Sequence, residues 1–415
     1  MKAARKKIAE VGTTAEECYE WAVAFEQGNL NAMIALVLTL TPNLQVLDID
    51  MWARPNSMRP ILRRVLDLAG RLQRERQLGH PLALWGLKKV VVRYCYDGDK
   101  VGDLPLMSLL MIPTLETLSA TDQVAANGVV EPTGWTDAHD KSLEAASQGN
   151  NLWLSNMKDL SLSFIAMIPS DIFRLLRCCP NLKRLYYEAH VHLPENLEEY
   201  RGFNLMARAS CLNPHLEDLT ILNKECSWSS IMSSSASSLK SLKRLRRLET
   251  NWENFTDRGH IDGETIVRDF PSSQSVVDAI PRSLEQLRIR GDPFDHYSKE
   301  DHDSTLAIIY KLLQKKNLPA LKSLDFGWKG VKKSRMSIPR AYGHPFTDDE
   351  IVEIFSWCQE AGVEMILLPP SPRYIKYRKD DNGKGTRSGT NVVEHIVHYP
   401  YDDYERIWKE NGFDL

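Results

Sequence analysis

One short phrase, repeated ten times, constrains this chain more than any other feature. A turn residue is followed by an apolar position, two others, an apolar position, one other, and an apolar position. The copies are PNLQVLDI at 42–49, GLKKVVV at 86–92, PTLETLSA at 113–120, MKDLSL at 157–162 and PNLKRLYY at 180–187. PHLEDLTI at 214–221, RLRRLET at 244–250, SLEQLRI at 283–289, ALKSLDF at 320–326 and GVEMILL at 362–368 complete the series. Their first apolar residues are Leu44, Leu87, Leu115, Met157, Leu182, Leu216, Leu245, Leu284, Leu321 and Val363, separated by 25 to 43 residues.

In such a phrase the second and third apolar residues share one face of a period-2 strand, while the first turns the chain into it. A lone strand cannot bury that face, but many copies stacked in parallel build a continuous core. This is the construction of leucine-rich-repeat solenoids, whose signature is LxxLxLxxN/C at roughly 20–29 residues per repeat. Here the intervals are longer and the Asn ladder is missing. The expected fold is therefore α/β: an irregular, insertion-rich leucine-rich-repeat solenoid of about ten repeats, with parallel strands on the concave face and helices on the convex face.

Helical periodicity fills the spaces between phrases, as parallel crossovers require. Thr347-Asp-Asp-Glu350 is a capping box, followed by Ile351, Ile354, Phe355 and Cys358 on one face and by Gly362 as a stop. Helices are also predicted over 60–77, over 170–179 with Ile172, Leu175, Leu176 and Cys179 in register, and over 304–316. A second capping box, Thr14-Ala-Glu-Glu17, opens the first helix, which runs through Phe25 and is followed by a helix at 30–40. The expected divisions are an N-terminal helical cap at 1–41, a solenoid at 42–368 with insertions near 121–151 and 225–241, a basic linker at 369–391, and a strand-helix cap at 392–415.

The charge balance, 52 Lys plus Arg against 55 Asp plus Glu, argues against nucleic acid or an anionic membrane as the main partner. Seven scattered cysteines without paired CxxC modules fit a reduced, intracellular protein, cytoplasmic or nuclear. The N-terminus lacks the apolar region of a secretory signal. The longest apolar run, AMIALVLTL at 32–40, is half the ~20 residues that span a bilayer, and it reads as a fully buried helix.

Catalytic signatures are absent: no GxSxG, GxxxxGK[ST], GxGxxG after a strand, or HExxH. No cofactor or metal is expected. Asn382-Gly-Lys-Gly-Thr386 lacks the upstream Gly of a phosphate loop. His395 and His398 lie in a strand-like segment that points them to opposite faces. Asp292, Asp295, His296, Glu300, Asp301, His302 and Asp303 read as a solvated loop, with Asp303 or Ser304 capping the following helix. Cys178 and Cys179 end a helix, with Cys179 on its apolar face.

PNLxxL followed by a helix, together with EWxxAFxxGNLxAMIALVLTLTPNLQVLDID near the N-terminus, resembles the repeat region of fungal F-box/leucine-rich-repeat-like proteins. The resemblance implies an interaction scaffold. An LPxEIL-type F-box, which would bind the Skp adaptor of a ubiquitin ligase, is not recognised before Glu16. A substrate receptor whose F-box is missing from this chain is one alternative reading, with ubiquitin-ligase components as partners. A metal-dependent hydrolase using the Asp292–Asp303 cluster is another.

The candidate surface follows from the phrase geometry. Residues flanking the last two apolar positions point away from the core: Asp48, Asp50, Lys89, Arg93, Thr117, Thr121, Asp159, Ser163, Arg184, Tyr186, Glu188, Asp218, Arg247, Glu249, Arg288, Arg290, Ser323 and Asp325. Trp52, Tyr94, Tyr96, Trp252 and Trp328, just past the strands, are rings of the kind that anchor interfaces. Arg93, Tyr96, Arg184, Tyr186, Glu188, Arg247, Trp252, Arg288, Arg290, Asp325 and Trp328 are the expected partner-binding residues of a non-enzymatic protein-protein adaptor. Two basic stretches, Lys240 to Arg247 with Arg288 and Arg290, and Arg373 to Arg387 with Tyr374 and Tyr377, read as solvated surface.

Overall fold

The computed structural model describes residues 2–11, 14–53, 60–76, 84–96, 106–123, 156–163, 175–176, 179–190, 213–224, 239–251, 261–262, 265–266, 273–290, 299–327 and 348–366. Each of the ten phrases forms a strand. These are β1 (Val46–Ala53), β2 (Lys89–Tyr96), β3 (Thr117–Gln123), β4 (Asp159–Ser163), β5 (Arg184–His190), β6 (Asp218–Lys224), β7 (Arg247–Asn251), β10 (Gln286–Arg290), β11 (Ser323–Gly327) and β12 (Glu364–Ile366). They make one open sheet of ten strands in chain order, every neighbouring pair parallel. A short antiparallel pair, β8 (Ile261–Asp262) and β9 (Thr265–Ile266), stands apart from it.

The phrase dictates how each strand begins. Backbone N–H groups of Leu44, Leu87, Leu115, Leu182, Leu216, Leu245, Leu284 and Leu321 each donate to the carbonyl three residues earlier, closing a tight turn. Pro42, Pro113, Pro180, Pro214 and Pro319 occupy the second position of five such turns, where a fixed φ is pre-set for the bend. Immediately afterwards, one carbonyl receives two amides of the next strand: Lys88 O accepts from Glu116 N at 2.8 Å and Thr117 N at 3.0 Å. The same doubly accepting carbonyl recurs at Gln45, Glu116, Lys158, Lys183, Glu217, Arg246 and Glu285, which fixes the register of the sheet repeat by repeat.

In that register the apolar residues form continuous ladders. Leu47, Val90, Leu118, Leu160, Leu185, Leu219, Leu248, Leu287, Leu324 and Met365 are direct neighbours across the sheet, and all are buried. A second ladder runs through Val92, Ala120, Leu162, Tyr187, Ile221 and Ile289, with Thr250 completely buried in line with them. The turn-closing leucines make a third, partly open only at Leu44. Helices cover this apolar face, and their buried residues join the strands in one core cluster.

Described helices are α1 (Lys2–Val11), α2 (Ala15–Glu26), α3 (Leu30–Leu40), α4 (Pro60–Arg74), α5 (Leu106–Leu110), α6 (Ser273–Ala279), α7 (Lys299–Leu313) and α8 (Asp348–Ala361). Thr14 caps α2 by accepting from Glu17 N at 3.1 Å, and Gly362, at φ +66°, ends α8 as its position after the helix requires. Helix α4 is tied to its neighbours through Gln73, 3% exposed, which donates to Leu84 O at 3.1 Å and accepts from Thr114 N at 3.1 Å. Gly70 lets α4 approach the turn after α5 so closely that a Cβ there would lie 2.6 Å from Met111 O.

Three expectations are corrected. Residues 2–11, read as a segment ahead of the first helix, form α1, held by Ile8 in the core and an Arg5–Glu26 ion pair. Helix α7 begins at Lys299, so Glu300 to Asp303 are helical rather than a loop; acidic groups suit a helix N-terminus. Helix α3 has the predicted bounds but is not fully buried: Leu30, Met33, Val37 and Leu40 are exposed on one side. Strand β3 runs to Gln123 and Leu239–Ser241 is a 3-10 turn, at the margins of the two expected insertions. Among the described residues, Leu175 and Leu176 are helical and buried, while Cys179 opens the turn before β5. Cys178, the linker, the C-terminal strand-helix cap, Asn382 to Thr386, His395, His398, Asp292, Asp295 and His296 lie outside the described residues. Among those described, no single helix is long and apolar enough to cross a membrane.

Candidate partner-binding face

The opposite face of the sheet carries the residues that alternate with the apolar ladders, and the strand register sorts them into parallel rows. Ahead of the strands runs a row of paired charges. Glu116 meets Lys88 at 3.1 Å and Lys158 at 2.6 Å, Glu285 meets Lys322 at 2.5 Å and Arg246 at 3.7 Å, and Glu217 meets Lys183 at 3.9 Å. Hydrogen bonds from Lys158 and Lys88 hold the Glu116 carboxyl below the usual carboxylate range, and Lys322 does the same for Glu285. These pairs are solvated, and exposed pairs of this kind contribute little to stability. They align neighbouring repeats more than they stabilise them.

The first in-strand row alternates in sign over four consecutive strands: Asp159, Arg184, Asp218, Arg247. Arg184 grips Asp159 with two nitrogens, Nη2 at 2.5 Å, and Arg247 meets Asp218 at 2.9 Å. Burial raises the Asp218 carboxyl above its ordinary range despite Arg247 and Arg184 beside it. Both arginines remain about half exposed, at 58% and 52% of their side chains. Arg93 belongs to a separate pair, meeting Asp48 at 2.5 Å on β1.

Towards the C-terminal ends of the strands the face becomes buried. Glu188, 4% exposed, accepts from Ser163 Oγ and Tyr186 Oη, both at 2.8 Å and both on Oε2. Burial pushes the Tyr186 phenol well above its usual range, reinforced by Glu188 and then by Glu249, so it stays protonated and donates. Next to this trio, Arg290 donates to Glu249 at 2.7 Å and Arg288 bridges Glu249, at 3.5 Å, to Asp325. Asp325 is 3% exposed, and its second oxygen, Oδ1, has no hydrogen-bond partner. Thr220 and Leu222 of β6, both buried, lie between the two halves. The cluster thus holds three carboxylates and two guanidiniums in a partly dehydrated setting, where donors and acceptors discriminate sharply between partners.

Of the residues expected to bind a partner, Tyr186, Glu188, Arg288, Arg290 and Asp325 come together in this cluster. Arg184 and Arg247 border it, and Arg93 lies on β2, outside it. The side chains of Tyr96, Trp52 and Tyr94, and all of Trp252 and Trp328, lie outside the described residues. In the basic stretch over 240–247, Arg246 and Arg247 are spent on carboxylates, as are Arg288 and Arg290. The second basic stretch lies outside the described residues. Ser163 and Glu249, placed on this face by the alternation of the phrase but not among the expected partner-binding residues, enter as working members, and Thr220 as a lining residue; the cross-strand register is what brings them to the cluster. No group of three His, Cys, Asp or Glu side chains able to hold a metal occurs among the described residues.

No family model and no curated protein matches this chain.

Tyr186→Phe should destabilise the protein by about 1 kcal/mol, because buried Glu188 loses one of its donors. Urea unfolding measures this directly, and an unchanged midpoint would mean that the bond adds nothing.

Proposed function

We propose that this chain is a non-enzymatic scaffold or adaptor, an irregular leucine-rich-repeat solenoid that holds a protein partner on the polar face of its sheet. The observation that carries this reading is the half-dehydrated cluster of Ser163, Tyr186, Glu188, Glu249, Arg288, Arg290 and Asp325, drawn from five strands and bordered by half-exposed Arg184 and Arg247. A broad face with a dehydrated centre and a charged, hydrated margin matches the anatomy of specific protein interfaces. Its self-paired charges favour selection among partners over bulk electrostatic attraction.

The test is quantitative affinity capture on the full chain, comparing wild type with Arg184→Glu/Arg247→Glu and with a control on the helical side, Glu360→Lys. Arg184 and Arg247 are exposed, so both variants should fold, as checked by circular dichroism. Proteins retained by wild type and the control but lost from the double variant are expected. Identical captured sets from all three, or no stoichiometric partner for wild type, would sink the proposal.

A further inference from the structure

The margin of the sheet at which the strands begin changes character along its length. In the segments that lead into β3, β4, β5 and β6, at 113–117, 156–159, 179–184 and 213–218, three basic residues stand against four acidic ones. In those that lead into β7, β10 and β11, at 239–247, 280–286 and 314–323, nine stand against one, Glu285. All nine are exposed. The three segments are stacked on one another: Ser283 Oγ donates to Leu245 O at 2.8 Å, Arg282 Nη2 donates to Lys316 O at 3.0 Å, and Glu285 O accepts from Lys322 N at 2.7 Å. The lone carboxylate of Glu285 lies between Arg246, at 3.7 Å, and Lys322, at 2.5 Å. Lys243, Arg244, Lys315 and Lys316 make no ion pair among the described residues. Outside these three segments the balance reverses, with 43 Lys plus Arg against 54 Asp plus Glu.

The occupant is selected by charge complementarity and by extent. Glu285 shows the pairing this margin supports: one carboxylate bridges cations from two successive repeats, and the unpaired cations beside it can take further carboxylates in the same way. Three neighbouring strand heads span only about 10 Å of margin. A long polyanion such as nucleic acid, or an anionic membrane, would run beyond the patch and meet a chain in which acids outnumber bases. Nor do the three segments hold any Phe, Tyr or Trp on which bases could stack. A short acidic stretch of protein stays within the patch. We infer that the head margin of β7, β10 and β11 binds a short acidic segment of a protein partner, whose Asp and Glu carboxylates pair with Lys243, Arg244, Arg282 and Lys316. Cationic heads on flexible stems follow such a segment without demanding one backbone conformation of it. None of these four residues belongs to the buried polar cluster, so the inference stands or falls apart from the reading of that face.

Fluorescence anisotropy tests it, with the full chain titrated into a labelled polyglutamate peptide of about ten residues, blocked at both ends. Wild type should bind at roughly 1–100 µM, and affinity should fall about tenfold between about 50 and 300 mM salt, as exposed charges require. Lys243→Glu/Arg244→Glu should weaken binding at least about tenfold, and Lys316→Glu alone about threefold. Lys2→Glu/Lys6→Glu changes the net charge by as much as the first pair, on α1, and should leave affinity within about twofold. All five residues are exposed, so every variant should fold, as circular dichroism checks. No binding by wild type, equal affinities for the two double variants, or affinity that ignores salt would overturn the inference. A labelled oligo-dT of matched charge should bind more weakly than the peptide. Equal or tighter binding of the oligonucleotide would overturn the inference in favour of nucleic acid, and cosedimentation of wild type with phosphatidylcholine–phosphatidylserine vesicles would overturn it in favour of a lipid surface.

Discussion

Leu287→Ala is expected to lower stability by about 3 kcal/mol, within the range of roughly 2–5 kcal/mol for truncating a buried leucine. Leu287 is 1% exposed and stands in the central apolar ladder between Leu248 on β7 and Leu324 on β11, both equally enclosed. Its neighbours are held in register by backbone pairing on both sides, so they cannot collapse into the space, and the cavity remains. Gln286→Ala, one residue earlier on the exposed face, should change stability by less than about 0.5 kcal/mol. Urea unfolding of the two variants side by side makes the comparison. Equal midpoints would mean that the ladder is not the core of the sheet.

Arg288→Met carries the second large effect, a loss of about 2 kcal/mol. Arg288 supplies the ion pair to Asp325, whose side chain is 5% exposed and whose other oxygen has no partner. Without the guanidinium a carboxylate is left buried and uncompensated; such losses reach about 3–5 kcal/mol, reduced here because Arg288 is itself 41% exposed. Adding Asp325→Leu should recover much of the loss, since both members of the pair are then gone. No recovery in the double variant would show that Asp325 is not left charged and buried.

The parts of this fold that were legible in the sequence are those whose cause is local. Each strand follows from three apolar residues and a turn, as at Pro180-Asn-Leu182, and α2 and α8 follow from a capping Thr and a terminal Gly. Helix α1 was not legible because half of its residues are charged and its apolar stripe is only Ala4, Ile8 and Val11; it is held by docking that stripe against α2 and α3. The start of α7 was hidden by acidic residues that read equally as a solvated loop. In α3 the apolar run defined the helix, but hydropathy alone cannot say which side of a wholly apolar helix meets its own core. The polar cluster was half legible: alternation showed that Tyr186, Arg288 and Asp325 leave the core. That Glu188 would take two hydroxyls, and that Arg288 would join Glu249 to Asp325, depends on strands 25 to 40 residues apart lying side by side.

The doubly accepting carbonyl at the heads of eight of the strands has a consequence for how such a chain can change over time. Between consecutive strand heads the chain length varies from 25 to 43 residues, yet the closing turn recurs at eight phrases and the paired amides at eight strands. A single residue inserted between Asn213 and Leu216 would slip β6 by one position and turn its apolar side outward, a change no neighbour could absorb. Length added beyond a strand's last paired residue leaves every register upstream and downstream as it was. The two margins of the sheet therefore age differently: one is copied without tolerance, and the other, beside the buried carboxylates, is where new loops and new specificities can be acquired at little cost to the fold.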